Sequence, residues 1–169
     1  MKKRNEIEQQ FAILAEEHQG IIHKVCSMYC PREADRKDLF QDILVQWWRA
    51  FPSFKGDAKF STWAYRVAIN TAISNFRKEK RRLDYQSLSS EVLQIPDLPN
   101  ANEGMEEQKD LLYRAINQLS KVEKAIMMLY LEDYNYIEIA QIIGITKTNV
   151  GVKINRIKGK LKQILVISD

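Results

Sequence analysis

Cysteine is close to missing from this chain. Cys26 and Cys30 are the only two, so no disulfide framework can hold the fold. Histidine is as scarce, with His18 and His23 alone. No Ser/His/Asp grouping, phosphate-cradling glycine loop or cluster of metal-ligating carboxylates is visible, which argues against an enzyme, including one that acts on nucleic acid such as a recombinase. No run of apolar residues is long enough to cross a bilayer. The start, Met1-Lys2-Lys3-Arg4, is basic, but polar Asn5-Glu6 follows it where a signal peptide would have an apolar core. A cytoplasmic protein without membrane insertion is therefore expected. Strand signals are missing too: nowhere do apolar and polar residues alternate, so the expected fold is all-α.

One set of metal donors needs weighing. His23, Cys26 and Cys30 fall at i, i+3 and i+7, on one face of a helix. No fourth donor stands nearby at a zinc-like spacing, and cysteine is also a small apolar core residue. The expectation is a core position for both cysteines, no metal and no cofactor.

What is present suits a globular protein. Hydrophobic residues make up 45% of 169, enough for one large domain or two small ones. The net charge of +4 matters only where it is clustered. Ile7, Phe11, Leu14, Ile21, Val25 and Met28 recur at three- and four-residue steps and predict a helix from about Glu6 to Cys30, stopped by Pro31. A second helix is predicted from Asp35, its expected N-cap, to Phe51 before Pro52. It carries two apolar rows, Leu39-Ile43-Trp47 and Phe40-Leu44-Trp48-Phe51. One core face needs about one row, so the helix sits in the middle of a bundle or keeps a face for a partner. Residues 52–60 read as a loop. Ser61 or Thr62 is expected to cap a third helix, which runs to about Arg82. Its alanines at 64, 68 and 72 allow close packing, and it ends in the basic run Arg77-Lys78-Glu79-Lys80-Arg81-Arg82.

From Asp84 to Asn102 the pattern stops, and Pro96, Pro99, Ser87, Ser89 and Ser90 mark a linker. Its charge is reversed, with Asp84, Glu91, Asp97 and Glu103 preceding Lys109. Periodicity returns from Met105 to Leu119. Ser120-Lys121-Val122-Glu123 and Asn135-Tyr136-Ile137-Glu138 are capping boxes that open two further helices. Gly144 suits a left-handed turn, and Thr146 caps a last helix to about Ile167. Residues 136–161 have the layout of a helix-turn-helix, with Val150, Ile154, Ile157 and Leu161 facing inward. No acid occurs between Lys147 and Ile167, whereas Lys147, Lys153, Arg156, Lys158, Lys160 and Lys162 share that helix. A face of one sign repels itself unless phosphates are its partner, so this helix is expected to bind DNA. The fold class is all-α: two small helical domains joined by a flexible linker, the second a helix-turn-helix domain.

Three segments carry a family resemblance. Residues 54–70, Phe-Lys-Gly-Asp-Ala-Lys-Phe-Ser-Thr-Trp-Ala-Tyr-Arg-Val-Ala-Ile-Asn, closely resemble the promoter-melting segment of the extracytoplasmic-function (ECF) sigma factors of RNA polymerase. Residues 38–43, Asp-Leu-Phe-Gln-Asp-Ile, with Trp47-Trp48-Arg49, resemble their clamp-binding helix, and residues 136–140 with Gly144-Ile145 and Asn149-Val150 resemble their second-domain helix-turn-helix. The resemblance implies a protein that directs core RNA polymerase to promoter DNA and helps to open it, with a cognate anti-sigma factor as a candidate third partner. It implies sigma region 2 over residues 1–83, a flexible acidic linker over 84–104 and sigma region 4 over 105–169.

Site residues follow from it. Polymerase docking is assigned to Asp38, Leu39, Gln41, Asp42, Gln46 and Arg49. Recognition and melting of the −10 element is assigned to Lys55, Lys59, Phe60, Trp63, Tyr65, Arg66, Asn70, Arg77, Lys80 and Arg81, whose aromatic rings suit stacking on unpaired bases. Reading of the −35 element is assigned to Lys147, Thr148, Asn149, Val152, Lys153, Asn155, Arg156 and Lys160. Two positions depart from the family pattern, Gly151 and Asn155. Gly151 also weakens a helix by roughly 1 kcal/mol relative to alanine, and a close approach to the DNA backbone would explain it. The rival reading, a stand-alone helix-turn-helix regulator, leaves residues 38–49 and 54–70 without a role.

Overall fold

A computed structural model describes the backbone of residues 2–86 and 105–167, and the side chains of residues 4–82 and 111–166. The sequence-predicted linker therefore lies almost wholly outside the described residues. Seven helices and one short 3-10 turn make up the described chain, with no strand among the described residues.

The N-terminal domain is a three-helix bundle of α1 (Lys2–Tyr29), α2 (Glu33–Ala50) and α3 (Phe60–Gln86), each packed on the other two. The corner after α1 is held by Arg36. Its guanidinium donates to the carbonyls of Cys30 (2.7 Å) and Pro31 (2.8 Å), groups that a helix end leaves without intrahelical partners. The predicted cap at Asp35 is displaced. The helix starts at Glu33 after Arg32, and Asp35 sits in the first turn, where it accepts from Arg32 at 2.7 Å. That is where a carboxylate favours the helix dipole.

Both apolar rows of α2 are used inside the bundle. Leu39, Ile43 and Trp47 are buried. The second row meets α1: Phe40 lies against His23 (ring centroids 4.9 Å apart), and Trp48 and Phe51 lie edge-on to Phe11 (5.1 and 5.3 Å). Of the two explanations for the wide stripe, the central position holds. What α2 leaves outside is its polar face, with Val45 and part of Trp48.

The alanines at 64, 68 and 72 are fully buried, so α3 approaches its neighbours closely. Through that gap the Trp47 indole N–H donates to the Ala64 carbonyl at 3.0 Å. Cys26 and Cys30 are buried core residues, whereas His23 points to the surface, so the three do not converge. Burial pushes the Cys26 thiol up to about 12.

The C-terminal domain contains α4 (Met105–Asn117), α5 (Lys121–Leu131), α6 (Tyr136–Ile143) and α7 (Lys147–Ile167). Both predicted capping boxes form, Ser120 with Glu123 and Asn135 with Glu138. Gly144 is left-handed at φ 82° and ends α6. Thr146 Oγ1 accepts from the Asn149 N–H at 3.2 Å and starts α7. Val150, Ile154, Ile157 and Leu161 are buried against α4, α5 and α6.

The two domains touch. α3 packs on α6 and, more lightly, on α5. No helix among the described residues is long and apolar enough to cross a membrane.

Trp47 and Trp48 separate the two roles within α2. Trp47→Ala is expected to cost about 3–5 kcal/mol, because it opens a cavity and leaves the Ala64 carbonyl without its donor. Trp48→Ala, at a site 38% exposed, is expected to cost well under half as much. Equal losses in urea-unfolding free energy would contradict the central placement of Leu39-Ile43-Trp47.

Candidate nucleic-acid interface

The helix-turn-helix presents one face of α7. Lys147, Thr148, Asn149, Val152, Asn155 and Arg156 are all exposed. Lys153 is half-buried and sits at the edge of that face. The stretch from Lys147 to Arg156 therefore offers hydroxyl, amide and guanidinium groups able to reach base edges.

The later lysines have partners inside the domain. Lys160 Nζ forms an ion pair with Glu123, and Lys158 Nζ lies 2.8 Å from the Tyr130 hydroxyl and over its ring. The Lys160 contact holds the Glu123 carboxyl below the usual carboxylate range. Glu123 thus closes a capping box and braces α7 at once. Sequence alone identified its cap but gave no sign of its contact 37 residues away. Lys160 keeps a side chain 54% exposed, enough to turn toward DNA, but doing so breaks the brace.

Gly151 lies beside Tyr136. A Cβ placed there would lie 3.4 Å from Cε2 of Tyr136, at the start of α6. An alanine would therefore fit beneath the tyrosine ring, whereas a larger side chain would press on it. The nearest neighbour on the chain itself is thus a side chain at ordinary van der Waals distance.

In the N-terminal domain the loop after α2 leads into α3. Lys55, Lys59, Arg66 and Asn70 are exposed, as is the whole basic run from Arg77 to Arg82, which includes Lys80 and Arg81. The aromatic residues divide. Trp63 is half-buried in a cluster with Phe51, Phe54 and Phe60, at centroid distances of 5.2–6.3 Å. Phe60 is only 9% exposed and also packs on His18 and Trp47, so it belongs to the core. A groove of about 340 Å³ lies beside this cluster, lined by Ile7, Leu14, Phe51, Phe54, Lys55 and Gly56. Tyr65 is 1% exposed and covered by the other domain: its hydroxyl donates to Glu132, and its ring meets Tyr134 edge-on at 5.5 Å. Neither Phe60 nor Tyr65 offers a free ring in this conformation, because Phe60 is packed in the core and Tyr65 is covered by Glu132 and Tyr134.

The outer face of α2 carries Asp38, Gln41, Asp42, Gln46 and Arg49, all exposed. Asp42 accepts from the Asn75 amide of α3 at 2.7 Å, which fixes its carboxylate on that face. Leu39 does not belong with them. It is 4% exposed and points into the bundle.

Fold and surface define a two-domain, helical protein with a helix-turn-helix reader in one domain and a basic, aromatic-rich helix in the other. Comparison with known proteins narrows the class. The family Sigma-70 region 2 matches residues 14–82, and Sigma-70, region 4 matches residues 109–161. The chain is 30% identical over 143 residues to the ECF RNA polymerase sigma-E factor of Escherichia coli (strain K12), covering 79% of this chain and 74% of that one. It is 25% identical over 165 residues to the ECF RNA polymerase sigma factor SigW of Bacillus subtilis (strain 168), covering 92% and 88%. In fold it is similar to the sigma factor RpoE of Bartonella quintana, solved in complex with the anti-sigma factor NepR, with a TM-score of 0.70 at 18% identity over 97% of this chain and 99% of that one. It is also similar to CnrH, solved in complex with the cytosolic domain of CnrY, with a TM-score of 0.66 at 18% identity over 96% and 91%. This chain belongs to the ECF family of RNA polymerase sigma factors. It is an alternative sigma factor that directs core RNA polymerase to promoter DNA.

The Tyr136 contact gives a test at Gly151. Gly151→Ala meets only an ordinary van der Waals contact and should raise C-terminal-domain stability by up to about 1 kcal/mol while preserving −35 binding. Gly151→Leu should drive Tyr136 aside and lower the melting temperature. Loss of promoter affinity in the alanine variant, at unchanged stability, would place the DNA backbone at that position.

Proposed function

We propose that three surfaces divide the work of initiation. The polar face of α2, with Asp38, Gln41, Asp42, Gln46 and Arg49, docks on core polymerase. Lys55, Lys59, Trp63, Arg66 and Asn70, with the basic end of α3 at Arg77, Lys80 and Arg81, hold the −10 strand as it leaves the duplex. The α7 face from Lys147 to Arg156 reads the −35 element. The protein supplies binding and strand capture without catalytic chemistry of its own, and acts in the cytoplasm with the polymerase. An anti-sigma factor is the further partner, a reading supported by the sigma factor RpoE of Bartonella quintana, similar in fold and solved in complex with the anti-sigma factor NepR.

The observation that carries this division is the exposure pattern. Apart from the half-buried Trp63, the side chains of each surface are exposed, and each surface lies on or beside a helix whose opposite side is buried. Sorting contacts by chemistry gives the roles within each. A guanidinium binds guanine O6 and N7 in bidentate fashion, and an amide binds adenine N6 and N7, so Arg156, Asn149 and Asn155 carry base preference. Lysines act as point charges on phosphates and strengthen every sequence alike.

Two experiments test the assignment. Asp42→Arg with Gln41→Ala should weaken core-polymerase binding at unchanged helicity. Unchanged affinity would remove α2 from the docking role. In reconstituted holoenzyme on randomised −35 libraries, Arg156→Ala should cost about 1–3 kcal/mol and relax preference at one or two positions. Lys162→Ala should weaken all sequences evenly and flatten the salt dependence by about one phosphate contact. A base profile rewritten by Lys162→Ala and untouched by Arg156→Ala would reverse the orientation of α7 in the groove.

A further inference from the structure

The outer side of α7 is ordered by charge. Its buried line is Val150, Ile154, Ile157 and Leu161. At about 3.6 residues per turn, position 152 lies diametrically opposite that line. Val152 stands there, 43% exposed. Thr148 and Asn155 stand beside it and Gly159 follows two turns on, all exposed. This central strip is uncharged. The cations flank it, with Lys153, Arg156 and Lys160 along one side and Lys147, Lys158 and Lys162 along the other. Uncharged groups between two rows of cations suit a helix lying in a major groove, with base edges below and phosphates on both walls.

Valine is the odd member of the strip. It neither donates nor accepts a hydrogen bond, and it stands outside the core cluster, which takes Val150 two positions earlier. Helix propensity does not account for it, since valine is a poorer helix former than alanine, lysine or arginine. Its neighbours on the strip are polar or lack a side chain, so it forms no contiguous apolar patch of the kind a protein partner covers. On the major-groove edges of the bases the distinctive apolar group is the thymine C5-methyl. A β-branched side chain keeps essentially one rotamer in a helix, so Val152 presents its methyl groups in a fixed place. Against the cytosine amino group or the guanine O6 the same side chain would leave a polar group dehydrated and unpaired, which disfavours those bases.

We infer that Val152 reads the 5-methyl group of a thymine in the −35 element, beside the base pairs met by Asn155 and Arg156 one turn along the helix. The inference rests on the −35 role of α7 and names a base for it. Arg156, Asn149 and Asn155 select by hydrogen bonds, and Val152 selects by apolar contact and by exclusion.

The test uses holoenzyme reconstituted from core polymerase and the full chain. On the −35 sequence that the parent selects from a randomised library, each thymine on either strand is replaced in turn by deoxyuridine, which lacks only the methyl group. One replacement should weaken parent binding about fourfold, the effect of losing one buried methyl group. Val152→Ser, with helicity unchanged, should bind the two forms equally and lose the thymine preference at that position in its own library profile. Val152→Ile should keep the methyl dependence. A selected element without thymine, replacements that all leave parent binding unchanged, or an equal methyl effect in Val152→Ser would each overturn the assignment. Scrambling the whole −35 element tests the role of α7 separately. Unchanged parent binding there would remove α7 from −35 reading altogether, whereas dependence on the element without dependence on a methyl group would overturn the role of Val152 alone.

Discussion

The hydrogen bond from the Trp47 indole to the Ala64 carbonyl fixes the geometry on which the rest of the molecule depends. Tryptophan is large, and its N–H must find an acceptor when it is buried. The acceptor is a backbone carbonyl in the second turn of α3, reachable only because position 64 carries no side chain beyond Cβ. That one contact sets the distance between α2 and α3. It thereby sets which way residues 59–70 face: Phe60 inward, Trp63 at the rim, Lys59, Arg66 and Asn70 outward, and Tyr65 toward the other domain. The same short stretch serves as core and as interface, which explains why its aromatic residues could not be sorted by composition.

Much of this was legible because it is local. Caps at Ser120, Asn135 and Thr146, the left-handed Gly144 and the buried row from Val150 to Leu161 depend on neighbours within one or two turns, and the structure holds all of them. The three motifs found in sequence order agree with the family matches over residues 14–82 and 109–161. What went unseen is long-range. Leu39 and Phe60 were grouped with surface residues because they sit inside recognisable motifs, and only packing shows that they are core. The Glu123–Lys160 brace and the Glu132 contacts join residues 37 to 108 positions apart, and no periodicity reports such a distance.

Electrostatics link these pieces. α7 has no acid of its own, and its positive field is tempered by carboxylates on other elements. Glu123 holds Lys160, while α6 contributes Glu138 toward Lys59 of the other domain. Exposed pairs of this kind contribute about 0–1 kcal/mol each and are screened by salt. Each is weak enough to be exchanged for a phosphate, which is a stronger and more numerous partner. The acids thus keep a basic protein from self-repulsion without competing seriously with DNA.

The same scale measures the contact between the domains, where Glu132 accepts from Tyr65 and pairs with Lys24, and the Tyr29 hydroxyl donates to the Lys121 carbonyl. A hydrogen bond to a charged group contributes about 1.5–3 kcal/mol, and half-exposed ion pairs add little. The contact through Tyr65, Glu132, Lys24 and Tyr29 therefore amounts to a few kcal/mol, and Tyr65 and Tyr29 both resist ionisation because they are buried. Two buried phenols, one carboxylate and a backbone carbonyl thus join the domains by a few polar contacts, on a scale well below that of either domain's core.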